Sequence, residues 1–296
     1  MKDEDFVEHL LIASTHATVL CFSNLGKVYW LKVFHIPLAS RNSRGRPMVN
    51  LLPLDEEERI TSILPIDGYD ENQFIFMATA NGTVKKTAAT QFSRPRSVGL
   101  RAIELEEDDV LVGTAITDGN SDIMLFSTEG KATRFNEGQV RAMGRTARGV
   151  RGINLAVGQK LISLIVPRGG GRILTVTENG YGKRTENAEF PAKGRGGKGV
   201  IAMSTSERNG SLVGAVQVWD GDEMMLISNQ GTAVRTRVDE VSLLGRNTQG
   251  VRVIRTRDGE ALVSVSRIAE DDDAAEPAQP VVTDEDSDSG SNETEE

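Results

Sequence analysis

FIFMATANGTVKKT, which spans residues 74–87, indicates how this chain folds. An apolar run leads into Asn81-Gly82, and a second run of strand-forming residues follows the turn. Asn-Gly is the strongest short signal for a two-residue β-hairpin, because both residues tolerate positive φ angles. The stretch therefore predicts two antiparallel strands joined by a tight turn.

The same pattern recurs along the chain with a period of roughly 50 residues. Each copy has an apolar run, a turn glycine, a second strand, a polar loop with another glycine and a third apolar strand. The turn glycines are Gly26, Gly82, Gly130, Gly180 and Gly231, and the loop glycines are Gly45, Gly99, Gly149, Gly199 and Gly250. The third strands are predicted over 60–66, 110–116, 161–166, 212–218 and 262–268.

These repeats predict an all-β fold, because Val, Ile, Leu, Phe and Thr dominate the runs and no sustained helical periodicity occurs. A unit of about four strands cannot bury both faces of its sheet alone, whereas a radial array of such units can. We therefore predict a propeller-like domain over residues 1–268. Its five complete blades are approximately 17–66, 67–117, 118–167, 168–218 and 219–268, and 6–13 is a strand of a preceding blade.

The net charge of −9 conceals two parts of opposite character. Residues 270–296 hold twelve of the 43 acidic residues and no Lys or Arg, which leaves 34 basic against 31 acidic residues in the rest. A segment so acidic and so poor in apolar residues cannot bury enough surface to order itself. We predict a disordered acidic tail over 269–296 behind a near-neutral to basic body.

Several classes of protein are excluded or disfavoured by composition. No run of about 18 apolar residues is present to cross a membrane, and the charged start of the chain does not resemble a secretory leader. Cys21, the only cysteine, is predicted to be a buried, inert thiol. The three histidines have no cysteine partners, so no metal site is expected. A reducing cytoplasm is the simplest compartment.

Basic residues concentrate in the five loops around the second glycine of each unit. The loops 41–46, 94–101, 141–151, 193–198 and 246–252 hold fifteen Lys or Arg and no Asp or Glu. Acidic residues occupy another phase of the repeat, at 55–58 and 104–109. The candidate DNA-binding residues are Arg41, Arg44, Arg46, Arg94, Arg96, Arg101, Arg145, Arg148, Arg151, Lys193, Arg195, Lys198, Arg246 and Arg252.

Equivalent loops of a radial repeat should lie around one rim, where their cations can follow a phosphate backbone. The loops contain no aromatic residue to stack on single strands, and no helix is predicted that could read bases in a groove. The pattern therefore favours duplex DNA that is bound through its shape and bendability. A protein-interaction propeller that docks an acidic partner is the alternative from another class.

A second basic set follows the turn glycines and could widen the same belt. The alternative for these residues is a solvated strand face that serves solubility. The set comprises Lys85, Lys86, Arg134, Lys183, Arg184, Arg235 and Arg237.

Four longer phrases resemble one bacterial family, the C-terminal domain of the DNA gyrase A subunit. They are RGRPMVNLLPL (44–54), FMATANGTVKKT (76–87), NGYGKRT (179–185) and GRNTQGV (245–251), and the likeness extends over essentially all of 4–268. The resemblance implies a six-bladed β-pinwheel that binds, bends and wraps DNA to support ATP-dependent negative supercoiling. It implies partners in a holoenzyme of two A and two B subunits, with ATP and magnesium on other domains and no cofactor in this chain. It also implies a cytoplasmic, nucleoid-associated location, an isolated domain that is monomeric, and an acidic tail of a kind that modulates wrapping in some relatives.

The sequence departs from the family in two places. The family's seven-residue box, Gln-Arg-Arg-Gly-Gly-Arg/Lys-Gly, belongs to a first blade that this chain lacks, and its nearest match is KGRGGKG at 193–199. None of Tyr29, Tyr69 and Tyr181 resembles the family's strand-cutting tyrosine, so no catalytic activity is expected. The equivalent domain of topoisomerase IV, which shares the fold with fewer blades, is the close alternative.

Overall fold

The prediction of an all-β fold is confirmed by the computed structural model, which describes residues 13–38 and 45–269. Within these ranges the chain forms nineteen β-strands and six short 3₁₀ turns, and none of the described residues is in an α-helix. The predicted strand at 6–13 and the predicted acidic tail lie outside the described residues, except for their end residues 13 and 269. No described helix has the length and apolar character that crossing a membrane demands.

The strands form five sheets that follow one another along the chain as blades. The first blade contains β1 (Thr18–Ser23), β2 (Lys27–Lys32) and β3 (Ile60–Ile66), and the second contains β4 (Phe74–Thr79), β5 (Thr83–Ala88) and β7 (Leu111–Thr117). The third contains β8 (Asp122–Ser127), β9 (Lys131–Asn136) and β11 (Leu161–Ile165). The fourth contains β12 (Arg172–Thr177), β13 (Tyr181–Glu186) and β15 (Leu212–Val218), and the fifth contains β16 (Glu223–Ser228), β17 (Ala233–Arg237) and β19 (Leu262–Ile268).

A two-residue strand from the following unit completes each of the first four blades. These exchanged strands are β6 (Leu100–Arg101), β10 (Val150–Arg151), β14 (Val200–Ile201) and β18 (Val251–Arg252), and each pairs antiparallel with the second strand of the preceding blade. The fifth blade has three strands, so the prediction of about four strands per unit is not met there within the described residues. Its second strand, β17, is paired only with β16 among these residues.

The hydrophobic core lies between neighbouring blades rather than in one central mass. Phe22 and Val28 of the first blade share a buried cluster with Phe92 and Leu111 of the second, and similar clusters join the later pairs of blades. Burial of aromatic and aliphatic side chains contributes about 1.5–3 kcal/mol each, so each blade is stabilised mainly by its neighbours. A fifth cluster lies in the first blade, where Leu52 packs with Cys21 and Tyr29.

The third strands surround a central cavity of about 850 Å³. Its lining includes Thr61, Val112, Ile162, Val213 and Val263, one from each blade. Since the order within the first four sheets runs from the third strand through the first and second to the exchanged strand, the exchanged strands lie at the edge away from the cavity. This arrangement places the loops that carry them on the outside of the array.

A 3₁₀ turn follows the second strand of every blade. The turns are Val33–His35, Ala89–Phe92, Glu137–Gln139, Asn187–Glu189 and Val238–Glu240, and a further turn covers Met48–Asn50. These short turns provide carbonyl groups at the junction with the preceding blade, where they help to hold the basic loops.

Candidate nucleic-acid interface

The described parts of the five basic loops lie at equivalent positions of the repeat. We call the residues of the loops 41–46, 94–101, 141–151, 193–198 and 246–252 the basic rim. Each exchanged strand forms the end of a rim loop or follows it directly, and its pairing with the preceding blade holds that loop at the outer edge. Repeat geometry alone therefore brings cations that are distant in sequence onto one side of each blade.

Most of the predicted rim cations are accessible. Those that are exposed are Arg46, Arg94, Arg96, Arg101, Arg148, Arg151, Lys193, Lys198 and Arg252, whereas Arg145, Arg195 and Arg246 are half-buried. Arg41 and Arg44 lie outside the described residues. Arg148 forms an ion pair with Glu104 of the preceding blade at 3.6 Å, so the acidic phase of the repeat touches the basic rim there.

The rim loops are linked from blade to blade through a polar residue of the preceding 3₁₀ turn. Gln91 Oε1 accepts a hydrogen bond from the Arg145 amide at 3.3 Å, and Gln139 Oε1 accepts one from the Arg195 amide at 2.8 Å. Glu189 Oε2 completes the series by accepting from the Arg246 amide at 2.9 Å. Each loop is therefore positioned by its neighbour.

Two rim arginines also reach back to an exchanged strand. The guanidinium of Arg195 donates to the carbonyl of Arg151 at 2.5 Å, and that of Arg246 donates to the carbonyl of Ile201 at 2.8 Å. These contacts explain why both side chains are half-buried. Arg195 belongs to the box-like segment 193–199, which occupies the same position in its blade as the other rim loops.

Lys85 and Lys183 do not belong to a DNA-facing belt, and the prediction for them is wrong. Both residues are 0% exposed. Lys85 Nζ donates to the carbonyls of Ala102 and Arg145 at 2.7 and 2.5 Å, and Lys183 Nζ donates to those of Gly245 and Arg246 at 2.7 and 2.5 Å. The buried ammonium groups hold rim loops from inside, since their acceptors are loop carbonyls.

Burial has an electrostatic cost at both lysines. Loss of hydration lowers the pKa of Lys85 to about 7, and repulsion from Arg145 acts in the same direction. Desolvation likewise lowers the pKa of Lys183 to about 8, although Glu189 partly opposes it. Desolvation disfavours a charged group that has no carboxylate beside it.

The next residue along the second strand has a related structural role in four blades. Trp30 Nε1 donates to the Phe92 carbonyl at 2.9 Å, and Lys86 Nζ donates to the Glu137 carbonyl at 3.1 Å. The corresponding contacts of the next two blades are from Arg134 to Asn187 at 3.1 Å and from Arg184 to Val241 at 2.8 Å. These side chains connect each blade to the 3₁₀ turn of the next.

Lys86, Arg134 and Arg184 are therefore also corrected as members of a DNA belt. Lys86 is 6% exposed and lies beside the buried carboxylate of Glu137, while Arg134 and Arg184 are half-buried and form ion pairs with acidic residues. Arg235 and Arg237 of the fifth blade remain exposed. Arg235 forms an ion pair with Glu223 of its own blade instead of reaching a following turn.

Arg208 was not among the residues predicted from the sequence. Its side chain lies over the ring of Tyr181, beside the predicted rim residue Arg252. A signal was present in the repeat, because Arg208 occupies the place that Asp108 has in the second blade, nine residues after the loop glycine. Only the fold shows that Tyr181 brings the two arginines together.

Cys21 is buried, as predicted, and desolvation raises the pKa of its thiol to about 12. A thiol of such high pKa is not a nucleophile at neutral pH. Among the described residues, no group of three or more His, Cys, Asp or Glu is arranged to hold a metal ion.

Comparison with known proteins assigns the family. The family model described as "DNA gyrase C-terminal domain, beta-propeller" matches residues 17–67, 73–118, 121–168, 171–218 and 222–269. The DNA gyrase A protein of Salmonella typhimurium is 57% identical over 270 residues, which cover 91% of this chain and 31% of that protein. Its counterpart from Haemophilus influenzae is 54% identical over 306 residues, covering 93% of this chain and 35% of the relative. The chain thus spans about a third of the length of these curated relatives.

Solved structures show the same relationship. A gyrase A C-terminal domain superposes with a TM-score of 0.75 and 27% identity, covering 87% of this chain and 84% of that chain. The C-terminal domain of a topoisomerase IV superposes with a TM-score of 0.80 and 26% identity, covering 90% and 85%. The fold is shared by both types of enzyme, whereas the match to the family model and the higher identities are to gyrase. The chain belongs to the family of DNA gyrase C-terminal β-propeller domains.

Proposed function

We propose that this chain binds duplex DNA along the basic rim, bends it and wraps it without regard to sequence. The observation that supports this function most strongly is the recurrence of acid-free, cation-rich loops at equivalent outer positions of successive blades. The hydrogen bonds from Gln91, Gln139 and Glu189 hold neighbouring loops in register. A duplex that follows the outer edge would therefore meet cations at regular intervals.

Phosphate contacts supply the affinity in this proposal. Neutralising a phosphate releases condensed counterions, so binding weakens as the salt concentration rises. If roughly 6–10 rim cations contact phosphates, affinity falls about 10³- to 10⁵-fold between 50 and 200 mM salt. The several kcal/mol needed to bend the duplex are distributed over many such contacts.

Recognition of individual bases is not supported by the architecture. The described residues contain no α-helix to enter a major groove, and the rim loops have no aromatic side chain to stack on unpaired bases. Arginine and lysine side chains on mobile stems, with backbone amides near glycines, suit the repeating phosphates of a duplex.

Within the larger enzyme, we propose that the wrap supports negative supercoiling. The chain would act as a non-catalytic part of an ATP-dependent type II topoisomerase, joined to the rest of its own A chain and to B subunits in an A2B2 complex. ATP and magnesium would be bound by other domains, and the location would be the cytoplasmic nucleoid. Identities of 54–57% to gyrase A subunits favour gyrase over topoisomerase IV for this role. The isolated domain is proposed to be monomeric.

Ligation of a nicked plasmid in the presence of the protein tests wrapping directly. A wrapping domain traps a change in linking number, which gel electrophoresis of the ligated topoisomers reveals. A variant with Arg148→Glu and Lys198→Glu should trap a smaller change at the same protein concentration, because it removes cations from two rim loops. A protein-interaction propeller would leave the linking number of the plasmid unchanged, and that result would refute the proposal.

A further inference from the structure

Tyr181 in the fourth blade brings two exposed arginines to one oxygen atom. Its hydroxyl oxygen accepts hydrogen bonds from Arg208 Nε at 3.2 Å and from an Arg252 terminal nitrogen at 2.9 Å. Both guanidinium groups also lie over the Tyr181 ring, 5.1 and 5.2 Å from its centre. The tyrosine is itself 3% exposed, so it is a fixed platform for two cations that face solvent.

Each arginine is anchored through its backbone. Tyr181 and Arg252 are directly opposite each other in the pairing of β13 with β18. The Arg208 carbonyl accepts from Asn179 Nδ2 at 3.2 Å, and the next residue, Asn209, is fully buried and donates to the Ser204 carbonyl at 2.8 Å. The cluster is therefore built by the fold and does not depend on chance rotamers of surface side chains.

The charge of the pair is not neutralised locally. No described carboxylate lies within 4 Å of either guanidinium, in contrast to Arg148, Arg184 and Arg235. Two like charges that share one neutral acceptor repel each other, and an oxyanion between them would remove that repulsion. Each guanidinium has five N–H donors in a planar fork, which leaves several for a ligand.

We propose that Arg208 and Arg252, arranged by Tyr181, form a clamp for a phosphate group. Charge-assisted hydrogen bonds from two forks suit the several oxygens of a phosphate better than a single carboxylate. The favoured source is a phosphate of bound duplex DNA, in which case the clamp extends the basic rim and rests on the proposed function. Free phosphate offers the same chemistry, and the experiment distinguishes the two sources.

The clamp is particular to the fourth blade. At the position of Tyr181 the second and third blades have Thr83 and Lys131, and at the position of Arg208 they have Asp108 and Gly158. Neither blade can therefore form the same pair of arginines on an aromatic platform. A duplex that follows the rim would be held at this blade by a contact with fixed geometry.

The test measures duplex binding by the full chain at several salt concentrations, using two DNAs of unrelated sequence. Arg208→Ala should weaken binding to both about tenfold and reduce the slope of log affinity against log salt by about 1. Arg255→Ala is the matched control, since Arg255 is an exposed arginine of the same loop region that lies outside the cluster. Tyr181→Phe, which keeps the ring and removes the acceptor, should give an intermediate loss.

A second arm titrates the isotopically labelled protein with inorganic phosphate and follows the arginine Nε–H resonances. Shifts confined to Arg208 and Arg252, with DNA binding unaltered by Arg208→Ala, would support the clamp and identify free phosphate as its source. If Arg208→Ala behaves like Arg255→Ala and phosphate moves neither resonance, the clamp is refuted while DNA binding by the wild type stands. If the wild type binds no DNA, the proposed function fails and the phosphate arm alone decides the clamp.

Discussion

The ammonium group of Lys85 donates a hydrogen bond to the backbone carbonyl of Arg145, sixty residues further along the chain, at 2.5 Å. Lys85 is wholly buried in the second blade, and Arg145 lies in the rim loop of the third. The charge of Lys85 therefore acts on the loop rather than on a ligand. Lys183 and Arg246 repeat the relationship between the fourth and fifth units at the same distance.

Replacing Lys183 by Met should loosen the rim loop that it supports. The carbonyls of Gly245 and Arg246 would lose their buried donor, which costs about 1–3 kcal/mol in the free energy of unfolding. Hydrogen exchange of amides in 245–250 should accelerate, and chemical denaturation should report the loss of stability. Lys160→Met, a change of the same chemistry at an exposed lysine, should alter stability by less than about 0.5 kcal/mol. Unchanged exchange in 245–250 would contradict the supporting role.

The lowered pKa of Lys183 predicts a pH dependence of stability. In the folded protein this pKa is about 8, against an ordinary value of 10.5 for lysine. Between these values the unfolded chain binds the proton and the folded chain does not, so the free energy of unfolding rises with pH. Denaturation of the wild type and of Lys183→Met at several pH values across this window should show the rise in the wild type relative to the variant. A difference that stays constant or shrinks would contradict it.

Charge reversal on the basic rim should weaken binding of all duplexes alike. Arg148→Glu and Lys198→Glu each remove an exposed rim cation, and each should reduce the salt slope of DNA binding by about 1. Arg59→Glu makes the same change of net charge at the central cavity and should have little effect on the slope. Fluorescence anisotropy with two unrelated sequences measures all three. A loss confined to one sequence would contradict recognition by shape.

The hairpin glycine Gly130 should be far less replaceable than a glycine at an open turn. A Cβ atom at Gly130 would lie 2.2 Å from the Met203 carbonyl oxygen, and its φ of +77° adds strain. Gly158 has nearly the same φ of +78° but has open space around it. Thermal or chemical unfolding should show a cost of about 1–2 kcal/mol for Gly158→Ala and about 3–5 kcal/mol for Gly130→Ala. Equal costs would show that close packing of the exchanged segment is unimportant.

The three tyrosines should ionise in a defined order. Hydrogen bonds from Arg208 and Arg252 lower the pKa of Tyr181. Burial raises the pKa of Tyr69, and burial together with the carboxylate of Glu58 raises that of Tyr29. An ultraviolet titration should therefore show one early phenolate, and Tyr181→Phe should remove that step alone. Loss of a later step in this variant would contradict the assignment.

The repeat could be predicted from the sequence because its signals are local. The turn at Asn81-Gly82 and the alternating runs on either side of it depend on φ preferences and on the period of a strand. The third strands at 60–66, 212–218 and 262–268 lie where they were expected. The exchange of β6, β10, β14 and β18 between blades could not be predicted from two-residue segments, since their pairing depends on a neighbouring blade.

Residue order alone was enough to predict strands in repeating units, with the cations of each unit gathered in one glycine-containing loop. Which of those cations face solvent depends on how the blades pack. Lys193 is exposed, while Lys183 of the same blade is buried beneath the next rim loop. Strand periodicity is a property of adjacent residues, but the fate of a charge depends on whether carbonyl groups from another blade replace its water. Those carbonyls lie some sixty residues away along the chain and become neighbours only when the blades assemble.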